Sequence, residues 1–163
     1  MIELVRCDDR MIHGQCIVRV LGDFNIERII GVDDFTASNE VLKKIYNMAV
    51  PPQITSDIYT TQEAVEPIRQ HLDSPENTLL LVKNPQTALA LFQAVDRLPK
   101  QFNIGPMSSR KGARKATIYA YLTEEEIGSI DAISDMGIRV YFNQVTDQRS
   151  EEWARVKSAM RIK

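Results

Sequence analysis

Between Cys7 and Gln15 the chain reads Cys-Asp-Asp-Arg-Met-Ile-His-Gly-Gln, placing Asp8, Asp9, Arg10 and His13 in one short segment. An arginine offers a planar fork of donors, a glycine lets backbone approach a ligand closely, and the start of a helix offers free N–H groups with partial positive charge. Arg10, Gly14 and the backbone of Gln15 therefore suit a phosphate or another dianion. His13 stands at the mouth of that cradle, where an imidazole can serve as a general acid or base, a metal ligand, or a nucleophile that takes up a phosphoryl group. The plainer alternatives are a turn and cap made by Asp8 and Asp9, a solvated Arg10 and a structural His13. The company of Arg10, Gly14 and the carboxylate pair favours chemistry at the histidine. The other histidine, His71, closes a predicted helix, where a cation suits the dipole.

A metal-dependent hydrolase built on Asp8, Asp9 and His13 is a competing reading. It lacks a second nearby histidine and any H-x-x-x-H or H-E-x-x-H pair, so no metal is expected. Neither G-x-G-x-x-G nor G-x-x-x-x-G-K-[ST] occurs, which argues against a nucleotide, and no cofactor is expected. Cys7 and Cys16 are too few for a disulfide framework or an unaided metal site and are expected to line the core.

The elements that must position this loop are legible from periodicity. Strands are expected at Ile2–Cys7, Arg28–Val32, Gln53–Thr55, Thr78–Val82, Gln101–Ile104, Ala116–Leu122 and Ile138–Gln144, with helices between most of them. The helices expected include Gln15–Leu21 and Ser38–Ala49, the latter with Val41, Leu42, Ile45 and Met48 as its apolar stripe and Pro51-Pro52 as its stop. Thr60 with Glu63, and Thr123 with Glu126, have capping-box spacing. Pro85 opens a helix through Ala94, and Ser150–Ile162 closes the chain. Alternating strands and helices specify an α/β fold with a mainly parallel sheet, and the apolar run Thr78–Val82 is a central strand covered on both faces. In such sheets ligands sit beyond the carboxyl ends of the strands, and the loop after the first strand is the richest in chemistry.

At 163 residues, one domain spanning residues 1–163 is expected. Hydrophobic residues at 44% and charged residues at 26% exclude disordered and fibrous classes. No apolar run reaches the roughly 18 residues of a membrane span. The start of the chain lacks the apolar stretch of a signal peptide, so a cytoplasmic location without membrane insertion is expected. With 20 basic and 22 acidic residues, the overall field gives no reason to expect nucleic-acid binding.

Leu4-Val5-Arg6 with Asp8-Asp9-Arg10-Met11-Ile12-His13-Gly14-Gln15 resembles the signature V-R-[IV]-D-D-R-L-I-H-G-Q-V of the IIB subunits of the mannose/fructose/sorbose family of the bacterial phosphoenolpyruvate-dependent sugar phosphotransferase system. The likeness extends through Ile29-Ile30-Gly31-Val32-Asp33-Asp34, Pro51, Phe102-Asn103-Ile104-Gly105, Leu122-Thr123-Glu124-Glu125 and Gly137-Ile138. The resemblance implies an open, mainly parallel seven-stranded sheet with helices on both faces. It also implies a phosphotransferase cycle in which His13 accepts a phosphoryl group on Nδ1 from a phosphohistidine of a IIA domain and gives it to a sugar bound by the membrane subunits IIC and IID. Arg10 would be the phosphoryl clamp, Asp8 or Asp9 would orient Arg10 or the imidazole, and Arg6, Gly14, Gln15, Ser108 and Ser109 would contribute phosphate contacts. A IIB-like regulatory or binding protein without a transport role is the alternative within the same fold.

The sequence departs from the family pattern at Gly105-Pro106 with Met107-Ser108-Ser109, at the missing tryptophan early in the first helix, and at Val145-Thr146-Asp147. Charge is also segregated. Arg97, Lys100, Arg110, Lys111, Arg114 and Lys115 fall in a stretch without an acid, and Glu124, Glu125, Glu126, Asp131 and Asp135 in one without a base. Each could be a solvated face; alternatively Arg110, Lys111, Arg114 and Lys115 form a partner surface that steers an acidic or phosphorylated protein.

Overall fold

The computed structural model describes residues 1–162, apart from the side chains of Gln15 and Cys16. In chain order the elements are β1 (Ile2–Cys7), α1 (Gly14–Asp23), β2 (Arg28–Val32), α2 (Asp34–Ala37), α3 (Glu40–Met48), β3 (Thr55–Tyr59), α4 (Thr61–His71), β4 (Thr78–Val82), α5 (Pro85–Ala94), β5 (Gln101–Ile104), β6 (Arg114–Lys115), β7 (Tyr121–Leu122), α6 (Glu124–Asp135), β8 (Arg139–Phe142), β9 (Glu151–Glu152) and α7 (Trp153–Ala159). The expected open seven-stranded sheet is present, in the order β3-β2-β4-β1-β5-β8-β9. Every pairing in it is parallel except β8 with β9.

Alternation along the strands divides the core in two. Leu79 and Leu81 of β4 share a cluster with Ile17, Val20 and Leu21 of α1, whereas Leu80 and Val82 share one with Ile68 of α4, Leu91 of α5 and Ile130 of α6. Helices thus lie on both faces. β1 is followed by a helix on one face, while its neighbours β4 and β5 are followed by helices on the other, so the chain diverges beyond the carboxyl end of β1 and leaves a crevice there. Both expected capping boxes form, at Thr60–Glu63 and Thr123–Glu126.

Four expectations need correction. The strand placed at Gln53–Thr55 lies at Thr55–Tyr59, an edge strand whose one fully buried side chain is Ile58. Ala116–Leu122 is no member of the main sheet: the Ala120 carbonyl accepts from the N–H groups of Ala116 and Thr117, folding the segment into the β6–β7 ribbon. The seventh sheet strand is instead β9, the first part of the segment expected to be wholly helical. Finally, the stripe on α3 faces outward, with Val41, Ile45 and Met48 exposed by 67, 55 and 84%. Beneath α3 the sheet ends in polar β3, where the Ser56 hydroxyl donates to Asn47 Oδ1 at 2.8 Å.

Candidate functional site

At the end of β1 the backbone is shared between two neighbours. The Asp8 N–H donates to the Val82 carbonyl at 3.0 Å and the Asp9 N–H to the Pro106 carbonyl at 3.2 Å, binding the loop to both β4 and the segment after β5. The Met11 N–H then closes a turn on the Asp8 carbonyl at 3.0 Å. Met11 adopts φ 58°, a left-handed conformation that costs free energy in a residue with a Cβ. Burial holds it there: Met11 and Ile12 are packed in the α1-side core, with the Met11 methyl close over Gly31. His13 is thereby delivered to the N-cap of α1 in extended conformation (φ −160°, ψ 151°), and its ring makes no capping hydrogen bond among the described residues. Nε2 is buried without a partner among the described residues, and Nδ1 makes no hydrogen bond among them.

The two aspartates have separate duties. Asp8 is buried, and its Oδ1 accepts the Arg10 N–H at 3.0 Å and lies 3.8 Å from Arg10 Nε. Burial pushes the Asp8 carboxyl above its ordinary range, against the Arg10 N–H and the charges of Arg6, Arg10 and His13. Asp9 instead accepts the Ser108 N–H at 2.6 Å and the Ser108 hydroxyl at 3.3 Å. Asp8 thus contacts the backbone and the guanidinium of Arg10, while Asp9 ties down the loop after β5. The Arg10 side chain is 43% exposed.

Arg6, expected among the phosphate contacts, is 1% exposed and braces the strand ends. Its Nη1 donates to Asn103 Oδ1 at 2.5 Å and its Nη2 to the Gln144 carbonyl at 2.8 Å. The guanidinium lies so close over Gly105 that no side chain fits there, which accounts for the glycine at 105; the proline at 106 has no structural explanation. Ser108 spends both its donors on Asp9, and Ser109 is exposed. Burial pushes the Cys7 thiol well up, and its Sγ lies 3.5 Å from Met107 Sδ, so Cys7 is a packing residue. The Gln15 and Cys16 side chains lie outside the described residues.

The four cations expected to form a partner surface divide into two pairs. Arg110 pairs with buried Glu126 and donates to the Ser108 carbonyl at 2.8 Å, and Arg114 bonds Glu124 at 3.1 Å and the Met160 carbonyl at 2.7 Å. The basic and acidic stretches meet each other, because the chain turns back from the ribbon into α6. Lys111 and Lys115 remain exposed. Asp8, Asp9 and His13 do not converge as ligands, and among the described residues no three His, Cys, Asp or Glu side chains do.

Beside the loop, beyond the strand ends, is a cleft of roughly 350 Å³ lined by Asp9, Asp33, Phe35, Lys83, Asn84, Met107, Arg110 and Glu126. Phe35 and Lys83 escaped the sequence reading. The available signal was position: Lys83-Asn84 directly follows the most apolar strand, at the sheet end where ligands bind.

A parallel sheet with its polar cluster beyond the carboxyl end of a central strand, where the helices change face, belongs to the doubly wound α/β class. Within that class, residues 2–162 match the family described as PTS system sorbose subfamily IIB component, and the chain belongs to this family, the IIB components of the mannose/fructose/sorbose group. It is 26% identical over 155 residues to the PTS system fructose-specific EIIB component of Bacillus subtilis strain 168, covering 95% of this chain and 94% of that protein. It is 27% identical over 146 residues to the PTS system mannose-specific EIIAB component of Escherichia coli K12, covering 90% of this chain and 45% of that longer protein. The crystal structure of the IIBSor domain of the sorbose permease from Klebsiella pneumoniae superposes with TM-score 0.89 at 26% identity, covering 98% of this chain and 97% of that one. Among the described residues no helix is long and apolar enough to cross a membrane.

Proposed function

We propose that the chain carries phosphate on His13 Nδ1 between a IIA phosphohistidine and a sugar. The observation that supports this reading is the state of the ring: Nε2 is buried, and neither ring nitrogen is engaged in a hydrogen bond among the described residues, which leaves the Nδ1 lone pair uncommitted. In the first step the Nδ1 lone pair forms the N–P bond as the bond between phosphorus and the donor imidazole breaks, its electron pair returning to that ring. In the second, a sugar hydroxyl oxygen attacks phosphorus and loses its proton to a base, while the P–N pair returns to His13. Arg10, aimed by Asp8, neutralises charge on the transferring group, and the free N–H groups at the start of α1 supply further donors. The fused EIIAB relative supports a IIA partner, and family membership supports sugar-specific membrane components, here assigned to IIC and IID with the chain on their cytoplasmic side.

The test is covalent labelling. With phosphoenolpyruvate, the general phosphotransferase proteins and a cognate IIA, the chain should gain one phosphoryl group, labile in acid and stable in base. His13→Ala should abolish the label and His71→Ala should leave it. Labelling that persists in His13→Ala would overturn the proposal.

A further inference from the structure

Side chains along β4 alternate, Leu79 and Leu81 toward α1, Leu80 and Val82 toward α5. Lys83 directly follows the last residue of β4, at the carboxyl end of the sheet where the His13 loop also lies. The Asp8 N–H is bonded to the Val82 carbonyl, so Lys83 leaves the sheet directly beside the Asp8-Asp9-Arg10 turn. It lines the same cleft as Asp9 and Arg110.

The other charges of that cleft already have partners. Asp9 is held by Ser108; Asp33 caps α2 through the Thr36 N–H at 3.0 Å and accepts the Thr36 hydroxyl at 2.7 Å; Glu126 binds Arg110 and the Thr123 N–H. Lys83 has no hydrogen bond or ion pair among the described residues. Without it the lining would set three carboxylates against one guanidinium, a field that repels a phosphoryl group. Arg10, already drawn on by Asp8, would meet that group alone.

We propose that Lys83 is a second phosphoryl-binding cation, whose free ammonium receives the donor's phosphoryl oxygens beside the Asp8-Asp9-Arg10 turn while His13 Nδ1 attacks. The assignment rests on the reading of His13 as the phosphate carrier. A point charge on a flexible stem suits a group that must be received and then released, whereas the Arg10 fork suits fixed orientation.

The experiment is rapid-quench measurement of phosphoryl transfer from phosphorylated IIA at two salt concentrations. It compares wild type, Lys83→Met, Lys83→Arg and Lys100→Met, whose lysine precedes β5 at the opposite end of the sheet. Lys83→Met should lower the second-order rate constant about tenfold at low salt and flatten its salt dependence, with its thermal midpoint unchanged. Lys83→Arg should restore most of the rate, and Lys100→Met should match wild type. Label on wild type with an unchanged rate and salt slope in Lys83→Met would overturn the assignment alone. Loss in Lys83→Arg equal to that in Lys83→Met would overturn it too, since charge would then be irrelevant. Absence of label on wild type would overturn the carrier reading and this assignment together.

Discussion

Gly105 offers a sharp test of how the site is braced. A Cβ built on it would lie 2.4 Å from Arg6 Nη2 and 2.7 Å from Cζ, about 1 Å inside an ordinary contact of about 3.5–4.0 Å. A surface arginine would swing away, but Arg6 is 1% exposed and held by Asn103 Oδ1 and the Gln144 carbonyl. The backbone cannot retreat, because the Gly105 N–H donates to the Cys7 carbonyl at 2.8 Å. Gly105→Ala must therefore distort one or two charge-assisted hydrogen bonds, each contributing about 1.5–3 kcal/mol, and should destabilise the fold by about 2–4 kcal/mol. In a chain of this size that lowers Tm by about 5–15 °C, readable by circular dichroism. The same substitution in an Arg6→Ala background should cost less than about 0.5 kcal/mol, because the obstructing group is gone. Gly105→Ala within about 0.5 kcal/mol of wild type, or an equal cost in both backgrounds, would refute the argument.

Other outcomes follow from the same geometry. Arg10→Ala should slow phosphoryl transfer about 10²- to 10³-fold with the fold intact, and Arg10→Lys should recover only part; full recovery would show that the bidentate fork is unnecessary. Because burial raises the Asp8 carboxyl, its contribution to stability is full below its ordinary value of 3.8 and is lost as pH rises through the folded value. Asp8→Asn, which keeps an acceptor for the Arg10 N–H, should therefore hold or raise Tm at pH 7 and steepen the fall of Tm on the acid limb of a pH–Tm series, because the carboxyl that gains stability as pH falls is gone, while slowing transfer. Arg110→Gln leaves the buried Glu126 carboxylate without its cation and should cost about 1–3 kcal/mol in urea denaturation, whereas Lys111→Gln should stay within about 0.5 kcal/mol.

Elements with strong local patterns were legible in the sequence. β1, β2, β4 and β5 are apolar runs buried in the sheet, and the threonine capping boxes fix two helix starts through side-chain chemistry alone. What stayed hidden depends on distant partners. The two residues of β9 have no periodicity to detect and become a strand only because Tyr141 and Phe142 lie opposite. The α3 stripe reads as a core face because spacing reports amphipathicity without saying which side is covered. In the site, the cluster from Asp8 to His13 was visible as a segment, but the different duties of its aspartates were not. They depend on Ser108, ninety-nine residues on, and on Arg10 folding back. The charge runs were visible too, yet their mutual neutralisation appears only once Arg110 reaches Glu126.

The central position of β1 has a consequence for synthesis. β1 leaves the ribosome before both strands that flank it, β4 and β5, with Arg6 opposite Leu81 on one side and Asn103 on the other. At about 5–20 residues per second, its second neighbour follows roughly 5–20 s later. Until β4 emerges, Ile2, Leu4 and Val5 have no flanking strand to join, and until the segment after β5 follows, the Asp8–His13 loop lacks its anchor at Pro106. The nascent chain thus holds β1 without its flanking strands while they are being made, and it is there that a chaperone should bind.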